Sequence, residues 1–196
     1  MAAGEVATSE REAVTAAEKS GLPVALKRLS REVTHRAAAG LLAVDLRSTE
    51  EVIAAYRRLM ARARDLDVVL DGMYVQHMVP GGLELLVSVF RDQLFGTMLA
   101  CGAGGNLTEM VDDVAIARAP VDEALALDLL GRLRIARYAQ QQSRGLDPRN
   151  PVGFITRFSR LAATAPWRQF VLEVNPVKWI PDGAVAVDAL LIIEQP

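Results

Sequence analysis

The chain has 196 residues, a formal net charge of −2 and a hydrophobic content of 51%, enough to bury a core in one domain or two small lobes. No apolar run approaches the roughly 18 residues of a membrane span, the charged start is unlike a secretory signal, and the net charge provides no field for nucleic acid or an anionic membrane. Cys101 is the one cysteine, which excludes an internal disulfide and a cysteine metal cluster. Because the start of the chain is unlike a secretory signal, we expect a cytoplasmic protein.

Two pairs of serine and glutamate, each spaced three residues apart, mark helix starts. Ser9 with Glu12 precedes an alanine-rich segment that should end at Gly21, and Ser48 with Glu51 precedes a second amphipathic segment. In such a capping box the serine hydroxyl accepts a hydrogen bond from an otherwise unpaired amide of the first helical turn. Both segments are therefore predicted to be helices.

The other predicted elements alternate between strands and helices. In chain order they are a strand over 23–27, the second helix ending near residue 64, strands over 73–79, 83–90 and 96–101, helices over 121–140 and 151–165, and strands over 169–174 and 184–193. Pro80-Gly81-Gly82 predicts a hairpin between 73–79 and 83–90. Hairpins are too frequent for a purely parallel sheet, so the predicted class is α+β.

Glu173 and Asn175 lie two residues apart in an otherwise apolar stretch, 170–176. Strand side chains alternate faces at about 3.3 Å per residue, so both would point the same way, roughly 6 to 7 Å apart. Carboxylate and amide oxygens are ligands of hard cations such as Mg²⁺. The flanking aliphatic residues and Pro176 favour a buried, one-sided site; a solvated edge strand is the alternative.

Three charged residues, Lys27, Glu84 and Asp188, fall in strands predicted to be buried. An unpaired buried charge is costly, so each needs a partner. They either form structural salt bridges or, with Glu173 and Asn175, build a triphosphate and metal site. We favour the second interpretation, since lysine offers phosphate a compact charge while oxygen ligands hold Mg²⁺ between phosphates.

The segment Gly102-Ala103-Gly104-Gly105 follows an apolar strand. It lacks the Lys-Ser/Thr of a Walker loop and the spacing of the dinucleotide fingerprint. Its backbone amides either cradle an anion or form a plain tight connection.

Taken in order, several blocks resemble the ATP-grasp domain of the NDP-forming (ADP-forming) acyl-CoA synthetases and acetate-CoA ligases, relatives of the succinyl-CoA synthetase β subunit. The blocks are GLPVALKRLSREVTHRAAAG, YVQHMVPGGLELLVSVFRDQLFG, LACGAGGNLTEMVDDVA, and VLEVNPVKW followed by AVAVDALL. The resemblance covers nearly the whole chain and implies a two-lobed ATP-grasp fold, with mixed or antiparallel sheets flanked by helices. An N-terminal lobe over 1–79 is expected to be truncated at its start, and a C-terminal lobe over 80–196 is expected to carry the metal site.

The resemblance also implies roles in the N-terminal lobe. Lys27 matches the lysine that contacts the ATP phosphates, and Arg36 keeps a positive charge that attracts phosphate. Gln76, His77 and Met78 match the hinge segment that borders the adenine, with His77 on its surface.

In the C-terminal lobe, the resemblance places Glu84 facing the nucleotide. Asn175 and Asp188 match the magnesium ligands, with Glu173 beside them. The implied cofactors are therefore Mg²⁺ and ATP or ADP.

His35 matches a histidine implicated in relaying phosphate to or from ADP. Imidazole suits this role because it is nucleophilic near neutral pH and its phosphoryl adduct transfers readily; a loop histidine that merely forms hydrogen bonds is the alternative. After this histidine the family continues Lys, Ser/Thr, Asp/Glu, any residue, Gly, Gly. Ala38 and Leu41 depart from that pattern by losing a carboxylate and a glycine.

The implied reaction converts acyl-CoA, ADP and phosphate to free acid, CoA and ATP, or the reverse, with the phosphoryl group passing to or from a histidine on a partner. A CoA-binding and phosphohistidine subunit or domain, similar to the succinyl-CoA synthetase α subunit, and an oligomer are expected. No nucleic-acid or membrane partner is expected. Two alternatives are a degenerate, non-catalytic nucleotide-binding or scaffolding domain, which Ala38 and Leu41 favour, and a purely structural subunit, which leaves the buried charges unexplained.

Overall fold

The computed structural model describes residues 1–29, 41–66, 71–105, 108, 111–141 and 145–193. These separate into two units: Ala2–Pro80, the N-terminal unit, and Gly81–Pro196 together with Met1, the C-terminal unit. No helix in the described residues is both long and apolar enough to span a membrane.

The described part of the N-terminal unit is a four-stranded antiparallel sheet with two helices. Its elements are β1 (Gly4–Ala7), α1 (Glu10–Ser20), β2 (Val24–Leu29), β3 (Leu42–Leu46), α2 (Thr49–Asp65) and β4 (Gly72–His77). The strand order is β1-β4-β2-β3. The strands β1 and β3 were not predicted from the sequence.

Both predicted helix starts in this unit are confirmed. The Ser9 hydroxyl accepts a hydrogen bond from the Glu12 amide and the Ser48 hydroxyl accepts one from the Glu51 amide, each at 3.2 Å. Gly21 ends α1 with a φ of 77°, a value that few residues other than glycine adopt. The two helices cover one face of the sheet, where their alanines pack with residues such as Leu26 and Val75.

The described part of the C-terminal unit is a six-stranded sheet with three helices. Its elements are β5 (Leu83–Asp92), β6 (Gly96–Ala103), β7 (Val114–Arg118), α3 (Glu123–Arg132), α4 (Arg134–Gln141), α5 (Arg149–Ala163), β8 (Phe170–Ile180), β9 (Gly183–Ala186) and β10 (Ala189–Ile193). The order is β10-β8-β5-β6-β7, with β9 also paired to β8, and every pairing between described strands is antiparallel. The prediction of an α+β fold with antiparallel sheets is confirmed.

The core of the C-terminal unit lies between one face of this sheet and the three helices. Leu85, Val87 and Val89 of β5 are fully buried there, together with Leu129 and Ile155 from the helices. Because strand residues alternate between faces, Glu84, Leu86 and Ser88 project from the opposite face.

The predicted hairpin around Pro80-Gly81-Gly82 is wrong. β4 pairs with β1 and β2, whereas β5 pairs with β6 and β8, so the two glycines join strands of different sheets. The hairpin partner of β5 is β6. Asp92 stabilises that turn by accepting hydrogen bonds from the amides of Leu94 and Phe95, each at 2.8 Å, and these bonds lower the pKa of the Asp92 carboxyl.

The single helix predicted over 121–140 is two helices, α3 and α4, that separate at Leu133. Leu133 has φ −71° and ψ 129°, which is extended rather than helical. The buried carboxylate of Asp113 accepts hydrogen bonds from the amides of Arg134 and Ile135, both at 2.8 Å. The start of α4 is therefore capped by a residue distant in sequence, which local capping patterns do not reveal.

The strand predicted over 184–193 is also divided. β9 ends at Ala186 and β10 begins at Ala189, so Asp188 lies between two strands and is half-buried rather than buried. β8 continues to Ile180, six residues beyond the predicted end at residue 174.

We predict that Asp113→Ala lowers the free energy of unfolding by about 2 kcal/mol, because two amides at the start of α4 lose their buried acceptor. Urea unfolding followed by circular dichroism measures the change. Asp112→Ala is the matched control: this neighbouring aspartate is exposed, and its loss should change stability by less than about 0.5 kcal/mol. Equal effects of the two substitutions would contradict the capping role.

We also predict that Cys101 is unreactive in the folded protein. Burial raises the pKa of its thiol to about 12, and the nearby Asp113 carboxylate adds to this effect. Iodoacetamide at pH 8 should modify Cys101 only after unfolding in urea. Because the folded pKa exceeds the ordinary value of 9.0, stability should fall as pH rises between these values, and a Cys101→Ala variant should lack this part of the decline.

Candidate functional site

In the N-terminal unit, Lys27 and Gln76 lie on the sheet face opposite the helices. Lys27 of β2 is directly opposite Tyr74 of β4, and directly opposite residues share a face; Gln76 follows two residues later on the same side. Leu26, the neighbour of Lys27, packs into the helical core. Lys27 is 6% exposed and Gln76 is 1% exposed, so the predicted burial of Lys27 is confirmed.

Backbone and side-chain hydrogen bonds hold the segment Gln76, His77 and Met78. The Gln76 carboxamide donates to the carbonyl of Ala2 at 3.3 Å, and Nδ1 of His77 lies 3.0 Å from the carbonyl of Gly21. The Met78 amide donates to the Pro23 carbonyl at 3.1 Å. His35 and Arg36 lie outside the described residues.

In the C-terminal unit, Glu84 and Glu173 share the sheet face that the helices leave open. Glu84 of β5 is directly opposite Lys178 of β8, and Ser88 is directly opposite Glu173. Leu85, which follows Glu84, points into the helical core. Glu84, Glu173 and Lys178 therefore project from the other side of the sheet.

Asn175 follows buried Val174 and so lies on the same face as Glu173, next to a β-bulge. Leu85 is opposite Val177 whereas Val87 is opposite Val174, so β8 carries one extra residue at Asn175 and Pro176. The Asn175 amide donates to the carbonyl of Asp188 at 3.1 Å. Two of the predicted metal ligands, Asn175 and Asp188, are thus neighbours through their backbones.

The glycine-rich segment packs against these residues. The amide of Gly104 donates to the Glu84 carbonyl, and the amide of Gly105 donates to Oδ1 of Asn175, both at 2.8 Å. The Asn175 carboxamide nitrogen in turn donates to the Thr108 hydroxyl at 3.3 Å. At Gly105 the geometry is that of a tight connection, because its amide is bonded to Asn175.

Glu84 forms an ion pair with Lys178. The Lys178 ammonium lies 2.9 Å from Oε1 of Glu84, and the side chains are 20% and 35% exposed, respectively. The predicted burial of Glu84 is therefore only partial, and this carboxylate has a salt-bridge partner. No role was predicted for Lys178 from the sequence. The feature that could have drawn attention to it is that only three of the 22 basic residues are lysines.

Glu173, Asn175 and Asp188 supply two carboxylates and one amide oxygen, all hard donors of the kind that Mg²⁺ prefers. An amide oxygen has two lone pairs, so Oδ1 of Asn175 can accept the Gly105 bond and still serve as a ligand. Within the described ranges no group of three or more histidine, cysteine or acidic residues forms a metal cluster. A cation held here would therefore need oxygens of a bound ligand in addition to these three side chains, and the donor set fits magnesium.

Comparison with known families decides the classification. The sequence model of the ATP-grasp domain family matches residues 1–193. The chain belongs to the ATP-grasp family. The family and the fold predicted from the sequence are confirmed.

Two curated relatives differ in how much of their length the chain spans. The β subunit of acetate-CoA ligase [ADP-forming] I from Pyrococcus furiosus is 31% identical over 194 residues, covering 96% of this chain and 83% of that subunit. Acetate-CoA ligase [ADP-forming] I from Archaeoglobus fulgidus is 29% identical over 200 residues, but the match covers only 28% of that longer protein. The ATP-grasp chain thus spans most of one relative and about a quarter of the other.

Solved structures show the same fold. The acetyl-coenzyme A synthetase 1 of Ca. Korarchaeum cryptofilum, in complex with coenzyme A and Ca-AMPCP, superposes with a TM-score of 0.90 at 30% identity, covering 99% of this chain and 86% of that one. Its complex with coenzyme A and Mg-AMPPCP gives a TM-score of 0.81 at 27% identity, covering 99% and 85% of the two chains.

We predict that Gly104→Ala disrupts the candidate site. A Cβ atom there would lie 2.4 Å from the Leu85 backbone, which cannot move aside as a flexible side chain can, so unfolding should become easier by about 1–3 kcal/mol. Thermal and urea unfolding measure this loss.

Gly131→Ala in α3 is the matched control, since a Cβ there meets nothing within 4 Å. It should leave stability unchanged or raise it by about 0.5–1 kcal/mol. A Gly104→Ala variant as stable as Gly131→Ala would contradict the packing described for the glycine-rich segment.

Proposed function

We propose that this chain is the nucleotide-binding ATP-grasp part of an NDP-forming acyl-CoA synthetase. The observation that carries the proposal is that Glu84, Glu173 and Asn175 share the open sheet face of the C-terminal unit, with the backbone of Asp188 bonded to that of Asn175. Relatives named as ADP-forming acetate-CoA ligases support the reaction class. The proposed reaction converts acyl-CoA, ADP and phosphate to free acid, CoA and ATP, or the reverse.

Each proposed role follows from the chemistry of the side chain. Lys27 offers a compact positive charge to the polyphosphate, and Gln76, His77 and Met78 border the base. Asn175 and Asp188, with Glu173, hold Mg²⁺, which when bound offsets the phosphate charge and fixes its orientation.

The phosphoryl group is proposed to pass to or from a histidine. A Ca. Korarchaeum cryptofilum acetyl-coenzyme A synthetase 1 structure carries a phosphorylated phosphohistidine segment, which supports a histidine carrier supplied by a partner subunit or domain that also binds CoA. His35 is the proposed phosphate relay in this chain, and Arg36 beside it would attract phosphate. Catalysis would be mainly positioning and charge neutralisation.

A degenerate, non-catalytic nucleotide-binding domain is the second candidate. Leu41 stands where the family pattern has glycine, and its side chain is buried, with 1% exposed. This candidate shares nucleotide binding with the first and differs in phosphoryl transfer.

We predict that Asn175→Ala and Asp188→Asn each weaken Mg-ATP binding at least about tenfold, equivalent to about 1.4 kcal/mol, because the first removes an oxygen ligand and the second removes the negative charge of a ligand. Isothermal titration calorimetry with Mg-ATP and Mg-ADP measures the affinities. Asp182→Asn is the matched control, since that aspartate lies in the exposed turn between β8 and β9 and should leave affinity unchanged. Unaltered affinity in both site variants would contradict the metal assignment.

Phosphoryl transfer separates the two candidate functions. The chain and a CoA-binding partner would be incubated with γ-labelled ATP and examined for acid-labile label. Label on the partner that depends on this chain, and label on His35 that disappears in His35→Asn, would support the synthetase. Tight nucleotide binding without any label would support the degenerate domain.

A further inference from the structure

We propose that Lys178 is a positioning residue for the nucleotide site. Through its ion pair with Glu84 it holds that carboxylate against the glycine-rich segment, and through Gly105 it fixes the carboxamide of Asn175. The part of this inference that concerns nucleotide affinity rests on the proposed function.

The Lys178 ammonium is held by two contacts. The Lys178 ammonium contacts Oε1 of Glu84 at 2.9 Å and donates to the carbonyl of Gly81 at 3.2 Å. Lysine has three donors on one nitrogen, and two of them are used at the start of the C-terminal unit. With a side chain only 20% exposed, the ammonium has few alternative positions, and its attraction for Glu84 is less screened than that of a surface pair.

Glu84 in turn contacts the glycine-rich segment. Its second carboxylate oxygen, Oε2, lies only 1.6 Å from the point that a Cβ at Gly105 would occupy. The Glu84 carbonyl accepts the amide of Gly104 at 2.8 Å. Glu84 therefore supports this segment with both its backbone and its carboxylate, and the position of the carboxylate depends on Lys178.

Gly105 is in turn joined to Asn175. Gly105 has a φ of +62°, and its amide donates to Oδ1 of Asn175 at 2.8 Å. Oδ1 is the atom that would ligate a cation. If Glu84 is released, Gly105 loses the group beneath it and its bond to Asn175 should weaken.

Lys178 also acts on the charge of this region. Glu84 and Glu173 share one sheet face, so two carboxylates lie on the face proposed to bind the polyphosphate. A nucleotide adds more negative charge as its phosphates increase. Loss of the Lys178 charge should therefore weaken ATP binding most, ADP binding less and AMP binding least.

The first experiment needs no nucleotide. Amide hydrogen exchange of Gly105, measured by NMR, should accelerate about tenfold in Lys178→Met relative to the wild type through local opening, while Lys178→Arg should stay close to the wild type. Lys19→Met is the control, because Lys19 pairs with Glu5 on the exposed surface of the N-terminal unit. Unchanged Gly105 exchange in folded Lys178→Met would overturn the inference, and so would faster exchange in Lys178→Arg equal to that in Lys178→Met.

The second experiment is a double-mutant cycle. Lys178→Met should weaken Mg-ATP binding about tenfold in the wild type but add little in a Glu84→Gln background, because the two residues act as one unit. If the losses of binding free energy from the two substitutions were additive, or if ATP, ADP and AMP lost equal affinity, Lys178 would have only a structural role and the inference would be wrong. A wild-type chain that binds no nucleotide would overturn the proposed function, while the hydrogen-exchange result would still decide whether Lys178 positions Gly105.

Discussion

The pairing of β5 with β8, interrupted by one extra residue, is the constraint on which the candidate site depends. A one-residue change in register moves every following side chain of a strand to the other face. Without the bulge between Val174 and Val177, Lys178 would point into the helical core and Trp179 would point away from it. With the bulge, Trp179 is fully buried, while Lys178 lies on the open face that Asn175 already shares with Glu173 through simple alternation.

In both units the two faces of the sheet have different roles. Helices cover one face and bury the apolar half of each strand, and the opposite face carries the candidate polar groups. In the N-terminal unit these include Lys27 and Gln76, and in the C-terminal unit Glu84, Glu173 and Asn175. Helices that stabilise a sheet from one side leave the other side for binding, so core packing and the site need not compete for the same residues.

Features with a local cause were predictable from the sequence. The starts of α1 and α2 follow from serine caps that bond amides three residues away, and the spacing of Glu173 and Asn175 placed both on one face. Features set by distant residues were not. The division between α3 and α4 depends on Asp113. The strands that pair with β5 are β6 and β8, and the turn residues Gly81 and Gly82 do not indicate this pairing.

The ion pair between Lys178 and Glu84 shows that a family resemblance does not identify every residue on which the candidate site depends. The family resemblance gives roles to Glu84 and Asn175 but none to Lys178, although Lys178 lies in the matched segment VLEVNPVKW. Only the register of β5 against β8 brings that ammonium to the carboxylate, and only the missing side chain at Gly105 lets the carboxylate lie beneath the glycine-rich segment. The affinity of the site for a charged ligand should therefore depend on a residue to which the resemblance gives no role, because the position of Glu84 depends on its ion pair with Lys178.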